Sequence, residues 1–194
     1  MQIEYEATFS NIDKDNIRKQ LLQAGAQLVR TEFLQKRVVF SLPPGQEIEG
    51  ALLRVRDEGD KITMSLKIVD GDKIINQRET KLVVDSFAEA RYFLLGIGCR
   101  EKAYQESKRE LWKIDEVEIT IDEWPFLEPF VEVEGSSEIE VKNISEKIGF
   151  DYNQAKFCSV DTLYQEKYGA SLDYINNHMP KILFTMDNPF LSEE

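Results

Sequence analysis

The chain has 194 residues, 42% hydrophobic and 31% charged, the composition of an ordinary globular domain long enough to bury a substantial core. A net charge of −12 excludes a general nucleic-acid binder, which needs a basic footprint. No apolar run is long enough to span a bilayer, the N-terminus lacks a basic-then-apolar leader, and Cys99 and Cys158 alone make no disulfide framework, so a reducing cytoplasm is the expected setting. An anionic small ligand stays open, because local basic clusters and bound cations set the field inside a cleft. The single histidine, His178, lies outside the charged segments and takes a surface or structural role.

The first segment, Ile3 to Phe9, alternates strictly: Ile3, Tyr5, Ala7 and Phe9 point one way, Glu4, Glu6 and Thr8 the other. That is the period of a strand with one apolar and one polar face. Glu4 and Glu6 project side by side, spaced to hold one hard divalent cation, although a solvated sheet face is the plainer reading. Asp13 then caps an amphipathic helix running to about Leu28, with Ile17, Leu21, Leu22 and Leu28 on or near one face. Thr31 to Leu42 reads as a strand centred on Val38, Val39 and Phe40 and closed by the turn Pro43-Pro44-Gly45.

Two cleanly alternating strands follow, Ala51 to Arg56 and Ile62 to Ile68, joined at Glu58-Gly59-Asp60. Arg54 and Arg56 share the polar face of the first, and Thr63, Ser65 and Lys67 that of the second. After the turn at Asp70-Gly71-Asp72, Lys73 to Val84 continues as a strand with Gln77, Glu79 and Lys81 on one face. Asp85-Ser86 caps a helix from Phe87 to about Leu95 that ends at Gly96 and Gly98. Three more strands are expected over Ala103 to Ile114, Val117 to Trp124 and Phe130 to Glu134, then a helix to Ile148 stopped by Gly149. Residues 151–186 read as short helices, and the end from Asp187 as loose.

Strand runs joined by tight turns point to a single α+β domain with its strands in residues 1–150. About eight antiparallel strands can close into a barrel with an inward and an outward face. Arg54, Arg56, Lys67, Lys81 and Arg109 gather on some strands, Glu4, Glu6, Asp122, Glu132 and Glu134 on others. Such segregation suits a polyanionic ligand with a divalent metal: guanidinium and ammonium groups hold phosphates, carboxylates the cation. Glu79 either joins that set or pairs with Lys81 on its own face. A charged interior is intolerable in a dry core and acceptable in a wet tunnel.

These residues resemble the CYTH domain, or triphosphate tunnel metalloenzyme, superfamily, which includes class IV adenylate cyclases, thiamine triphosphatases and inorganic triphosphatases. Glu4-Tyr5-Glu6-Ala7-Thr8 resembles its Glu-x-Glu-x-Lys strand and Arg54-Val55-Arg56 its Arg-x-Arg strand. Ile62 to Lys67, Arg78-Glu79, Lys108-Arg109, and Asp122 with Phe130-Val131-Glu132-Val133-Glu134 follow in family order, the match running from Ile3 to about Gly149. The resemblance implies a closed eight-stranded antiparallel β-barrel with helices packed outside. Its tunnel would bind a small-molecule triphosphate with Mg²⁺ or Mn²⁺, in a protein that can be a homodimer and touches neither nucleic acid nor membrane.

Carried over by position, Glu4 and Glu6 would be catalytic carboxylates. Together with Glu132, Glu134 and Asp122 they would ligate the metal, with Glu79 a further member. Arg54, Arg56, Lys67, Lys81 and Arg109 would hold the phosphates. The implied activity is a metal-dependent phosphohydrolase acting on inorganic triphosphate, a nucleoside triphosphate or thiamine triphosphate; the alternatives are a class IV-type adenylate cyclase and a non-catalytic binding module. Two positions depart from the pattern. Thr8 stands where the family has Lys, removing a cation, and Leu127-Glu128-Pro129 stands before Phe130 where a glycine is usual. Trp112 and Trp124 read as core or tunnel-mouth packing, and Tyr164 and Tyr168 as packing a helix against a mouth.

Overall fold

The computed structural model describes residues 1–191. Gln2–Ile3 (β1) and Tyr5–Phe9 (β2) form one alternating run broken at Glu4. Lys14–Gln23 (α1) follows, with the Asp13 carboxylate accepting from the Asn16 amide. Gln27–Ser41 (β3), Ala51–Asp57 (β4), Ile62–Val69 (β5) and Gln77–Val84 (β6) form a meander, then Phe87–Gly96 (α2) starts at its Ser86 cap. Arg100–Ile114 (β7), Val117–Glu123 (β8) and Phe130–Gly135 (β9) lead to Glu138–Ile148 (α3), stopped by Gly149 at φ 109°. Val160–Tyr168 (α4), Leu172–Asn177 (α5) and the short Lys181–Ile182 (β10) complete the described chain.

The sheet order is β1-β6-β5-β4-β3-β7-β8-β9-β2, with β10 added to β7 in parallel. β1 and β2 are contiguous in the chain yet occupy the two ends of that order, so the sheet must roll up on itself. Ile3 pairs with Arg78 on one side, and Glu6 with Glu134 on the other. Gln77 seals the seam at the break: its carbonyl accepts from the Glu4 amide (3.0 Å), and its side-chain amide donates to the Glu6 carbonyl (2.8 Å). With Gln2 to Phe9 counted as one strand, the barrel has the eight antiparallel strands expected.

The apolar faces of these strands point outward, under helices. Ala7, Phe9, Ile119, Ile121, Val131 and Val133 pack against Ile17 and Leu21 of α1 and Val141 and Ile148 of α3. Val38, Phe40, Leu53 and Val55 lie beneath Ala90 and Leu94 of α2. Strand alternation therefore sends the polar side chains to the barrel interior. A third cluster of Trp124, Phe130, Leu163, Tyr164, Ile175 and Ile182 joins α4, α5 and β10 to the barrel. There the Tyr164 hydroxyl donates to the Pro125 carbonyl (2.7 Å) and Tyr168 to that of Phe126 (2.6 Å).

Several expectations change in detail. α1 ends at Gln23, five residues early, because Gly25 takes φ 83° and turns the chain; Leu28 becomes part of β3 and, like Leu22, is exposed. The start of the expected strand is instead a 3-10 turn over Ile74–Asn76, preceded by Lys73. In the glycine-free segment before Phe130, Phe126 itself adopts φ 67°, held by the Tyr168 bond and an edge contact with Phe190. Within the end expected to be loose, Asn188 to Phe190 are partly buried, Phe190 stacking on Tyr164 and Tyr168, while Asp187 and Leu191 are exposed; residues 192–194 lie outside the described chain. Among the described residues, no helix is long and apolar enough to cross a membrane.

Candidate active site in the tunnel

Strand order turns charges scattered along the sequence into two continuous arcs. Lys67 on β5, Arg54 and Arg56 on β4, Arg37 on β3 and Arg109 on β7 follow one another around the wall. Asp122 on β8, Glu132 and Glu134 on β9, Glu4 and Glu6 on the first strand, and Glu79 on β6 form the acidic arc, with Lys81 beside Glu79 on β6. All of these except Asp122 and Glu79 line a cavity of about 500 Å³, shared at one end with Trp124 and Tyr164 and with side chains of α4 and α5.

Ion pairs join the arcs where they meet. The Lys67 ammonium, 8% exposed, lies 2.9 Å from Glu4 and 2.7 Å from Glu6. Arg109 grips Asp122 through two hydrogen bonds of 2.7 and 2.9 Å and reaches Glu132 at 2.6 Å. Arg54 pairs with Glu79 at 3.4 Å, and Lys81, half-exposed, reaches the same carboxylate at 3.3 Å. Arg56 is bound by Glu58, which also accepts from Thr63.

Glu4, Glu6 and Glu134 each bring one carboxylate oxygen within 4.8 Å of the others, a spacing and donor set that fit a hard divalent cation. Asp122, expected among the metal ligands, stands apart from this group: Arg109 holds both its oxygens and Thr120 donates to one at 2.6 Å. Its position makes it the anchor of Arg109. Glu132 turns to the same guanidinium. Thr8 is buried opposite Glu132 across the strands, its backbone bridged to Lys156. Trp112 packs in the outer core, Trp124 at the tunnel, and His178 sits exposed beside Asp173.

Arg37 is a tunnel cation that the sequence did not reveal, as is Lys102. The signal was there in the alternation of Gln35, Arg37 and Val39, but Val38-Val39-Phe40 reads as an unbroken apolar run. In the structure Val38 and Phe40 face α2 while Arg37 and Val39 line the tunnel.

Burial governs how these groups titrate. It raises the Glu4 carboxyl to about 7, Glu6 adding to the shift and Lys67 opposing it. Burial, with Glu6 and Asp122, pushes Glu132 up to about 8, and burial with Glu6 raises Glu134. Glu6 is buried as well, yet Lys67, joined by Arg109 and Arg54, outweighs that cost and lowers it. Glu79, despite burial, is brought down to about 2 by Arg54 and Lys81. Burial and then Arg54 depress the Arg56 guanidinium to about 10.

A stability profile follows. Between about pH 4.5 and 8 the unfolded chain has released protons that native Glu4, Glu132 and Glu134 still hold, so stability falls as pH rises through that window. The lowered groups, Glu6 and Glu79, act with the opposite sign, but only below about pH 4.5. Metal-free protein is therefore expected to melt highest near pH 5 and progressively lower toward pH 8. Thermal melts in EDTA across that range check this; a rising profile would show the carboxylates already ionised.

The CYTH domain family matches residues 2–164. A Methanocaldococcus jannaschii protein described as a candidate adenylate cyclase is 25% identical over 146 residues, 75% of this chain and 81% of its own. A solved Vibrio parahaemolyticus structure, also described as a candidate adenylate cyclase, superposes with a TM-score of 0.72 at 13% identity, covering 84% of this chain and 98% of that one. A Hippeastrum structure described as a candidate adenylyl cyclase with a dominant triphosphatase activity gives 0.58 at 15% identity, with coverages of 87% and 97%. The two structures share the fold; the family match runs over most of the chain, and the chain belongs to the CYTH domain family.

Proposed function

We propose that the tunnel binds a triphosphate together with a divalent cation, Mg²⁺ or Mn²⁺, and hydrolyses it. The observation that carries this reading is the meeting, in one cavity, of buried Arg56 and Lys67 and partly buried Arg54 and Arg109 with the Glu4–Glu6–Glu134 group. The cations come from the neighbouring strands β4 and β5 and from β7, and charge-assisted bonds to phosphate are the strong kind. Glu4, Glu6 and Glu134 are the residues that would hold the cation. A bound cation there would neutralise charge on the phosphate oxygens and lower the barrier to attack at phosphorus. Asp122 keeps the Arg109 fork aimed at the cavity, and Glu79 does the same for Arg54. Lys67 serves both arcs, holding Glu4 and Glu6 in place while presenting its charge to the ligand. The nucleophile is water in this reading. In the cyclase alternative, suggested by the description of the archaeal relative, it is the ribose 3′ oxygen.

Phosphate release from inorganic triphosphate, ATP and thiamine triphosphate, with each cation and with cyclic AMP measured on the ATP samples, tests the reading. Cation-dependent release supports hydrolysis and names the preferred substrate; cyclic AMP without phosphate would replace it with the cyclase.

Thr8 favours a second reading, a tunnel that binds without turning over. A buried hydroxyl donates a hydrogen bond but supplies no positive charge beside Glu132. Thr8→Lys restores that charge and is expected to raise turnover by about tenfold or more, with little change in triphosphate affinity. Steady-state rates beside calorimetric titrations separate the two quantities; a rate gain from a near-zero base would identify the native protein as a binder.

A further inference from the structure

Arg37 differs from four other cations that the strands β4, β5 and β7 present to the tunnel. Arg54, Arg56, Lys67 and Arg109 each have a carboxylate partner. Among the described residues Arg37 has only neutral ones: its Nη2 donates to Gln35 Oε1 at 3.0 Å and to the Ser107 hydroxyl, while its Nε has no partner at all. It is 4% exposed, lines the cavity, and lies 4.3 Å over the Trp124 ring. Register sets it directly opposite Arg56, another buried guanidinium. Burial first, then Arg56, Arg54 and Arg109, weaken its hold on its proton; Asp122, itself gripped by Arg109 and not hydrogen-bonded to Arg37, opposes them without reversing the shift.

A buried charge facing like charges and lacking a counter-ion is strongly unfavourable. An anion entering the cavity supplies what the protein does not. In the ring of eight, β3 stands four strands from the Glu4–Glu6 strand by either route, so Arg37 projects from the wall opposite those carboxylates. We propose that Arg37 is a phosphate-binding residue, its unpartnered Nε–H directed at the phosphate group of the triphosphate farthest from Glu4, Glu6 and Glu134. The assignment rests on the tunnel being a triphosphate site. It also gives the chain a tunnel cation that its family resemblance does not supply, where Thr8 has removed one.

Inorganic triphosphate titrated calorimetrically into the full chain with Mg²⁺ tests this, using wild type, Arg37→Met and Arg37→Gln. Methionine leaves Ser107 bonded to Gln35 at 3.2 Å, and glutamine keeps a hydrogen-bonding head for both, which guards against a folding defect. Both variants are expected to bind on the order of 10- to 100-fold more weakly than wild type. Arg37→Met is also expected to melt at or above wild type without ligand, as removal of an uncompensated charge requires. Wild-type affinity in either variant overturns the assignment of Arg37 while leaving the triphosphate reading intact. No binding by wild type itself sinks the triphosphate reading, and this assignment with it.

Discussion

Glu6→Gln is expected to lower cation-dependent phosphate release on the order of 10²- to 10³-fold while leaving metal-free triphosphate binding no weaker than wild type. Glu6 is the member of the carboxylate group closest to Lys67, at 2.7 Å, and the one the tunnel holds ionised. Its charge raises both Glu4 and Glu134, so it is the centre of the acidic arc. Glutamine keeps the shape and an oxygen for Lys67 but removes the negative charge that a hard cation needs. Lys67 then faces less competition from carboxylates for the phosphates, which is why affinity without metal should hold or improve. Rates at saturating Mg²⁺, paired with titrations in EDTA, separate the two effects. Unchanged turnover would show that the Glu4–Glu6–Glu134 group is not where the cation acts.

Arg109→Met is expected to destabilise the fold by about 3–5 kcal/mol, a fall of about 6–20 °C in melting temperature. Asp122 is fully buried and has Arg109 on both oxygens; with the guanidinium gone, only Thr120 would still donate to it. Glu132, already raised by burial, would lose its partner as well. Breaking one side of a buried pair leaves an uncompensated charge, and stranding that charge costs more than the attraction that is lost. Asp122→Asn in the Arg109→Met background should therefore recover part of the loss. A double-mutant cycle by thermal melting gives the coupling, and additive losses would mean that Asp122 does not anchor Arg109.

Most of the barrel was legible because its rule is local. A period of two over Ala51 to Arg56, Ile62 to Ile68 and Val117 to Trp124 fixes which side chains share a face, whatever the strands pair with. The motif order then pointed to the face that turns into the tunnel. What stayed hidden depends on partners distant in sequence. That both oxygens of Asp122 meet Arg109, thirteen residues away on the paired strand, appears only once the strands are paired. Arg37 was masked by neighbours that are apolar for two different reasons, Val38 and Phe40 packing on α2 while Val39 lines the cavity. The break at Glu4 is equally non-local, since it arises only because one strand must serve β6 on one side and β9 on the other.

That seam has a consequence for how the protein is made. The strand from Gln2 to Phe9 leaves the ribosome before its partners, Arg78 and its neighbours on one side and Val131 to Gly135 on the other. Closing loops of that length carries an entropic cost that must be met before the pairing returns any stability, so ring closure belongs late in folding. Until then Glu4 and Glu6 remain in water as ordinary carboxylates, Lys67 has no counter-charge from them, and two sheet edges stand open to other chains. The binding tunnel is thus assembled in the closing step of folding, and a nascent chain without β9 has neither the barrel nor the site.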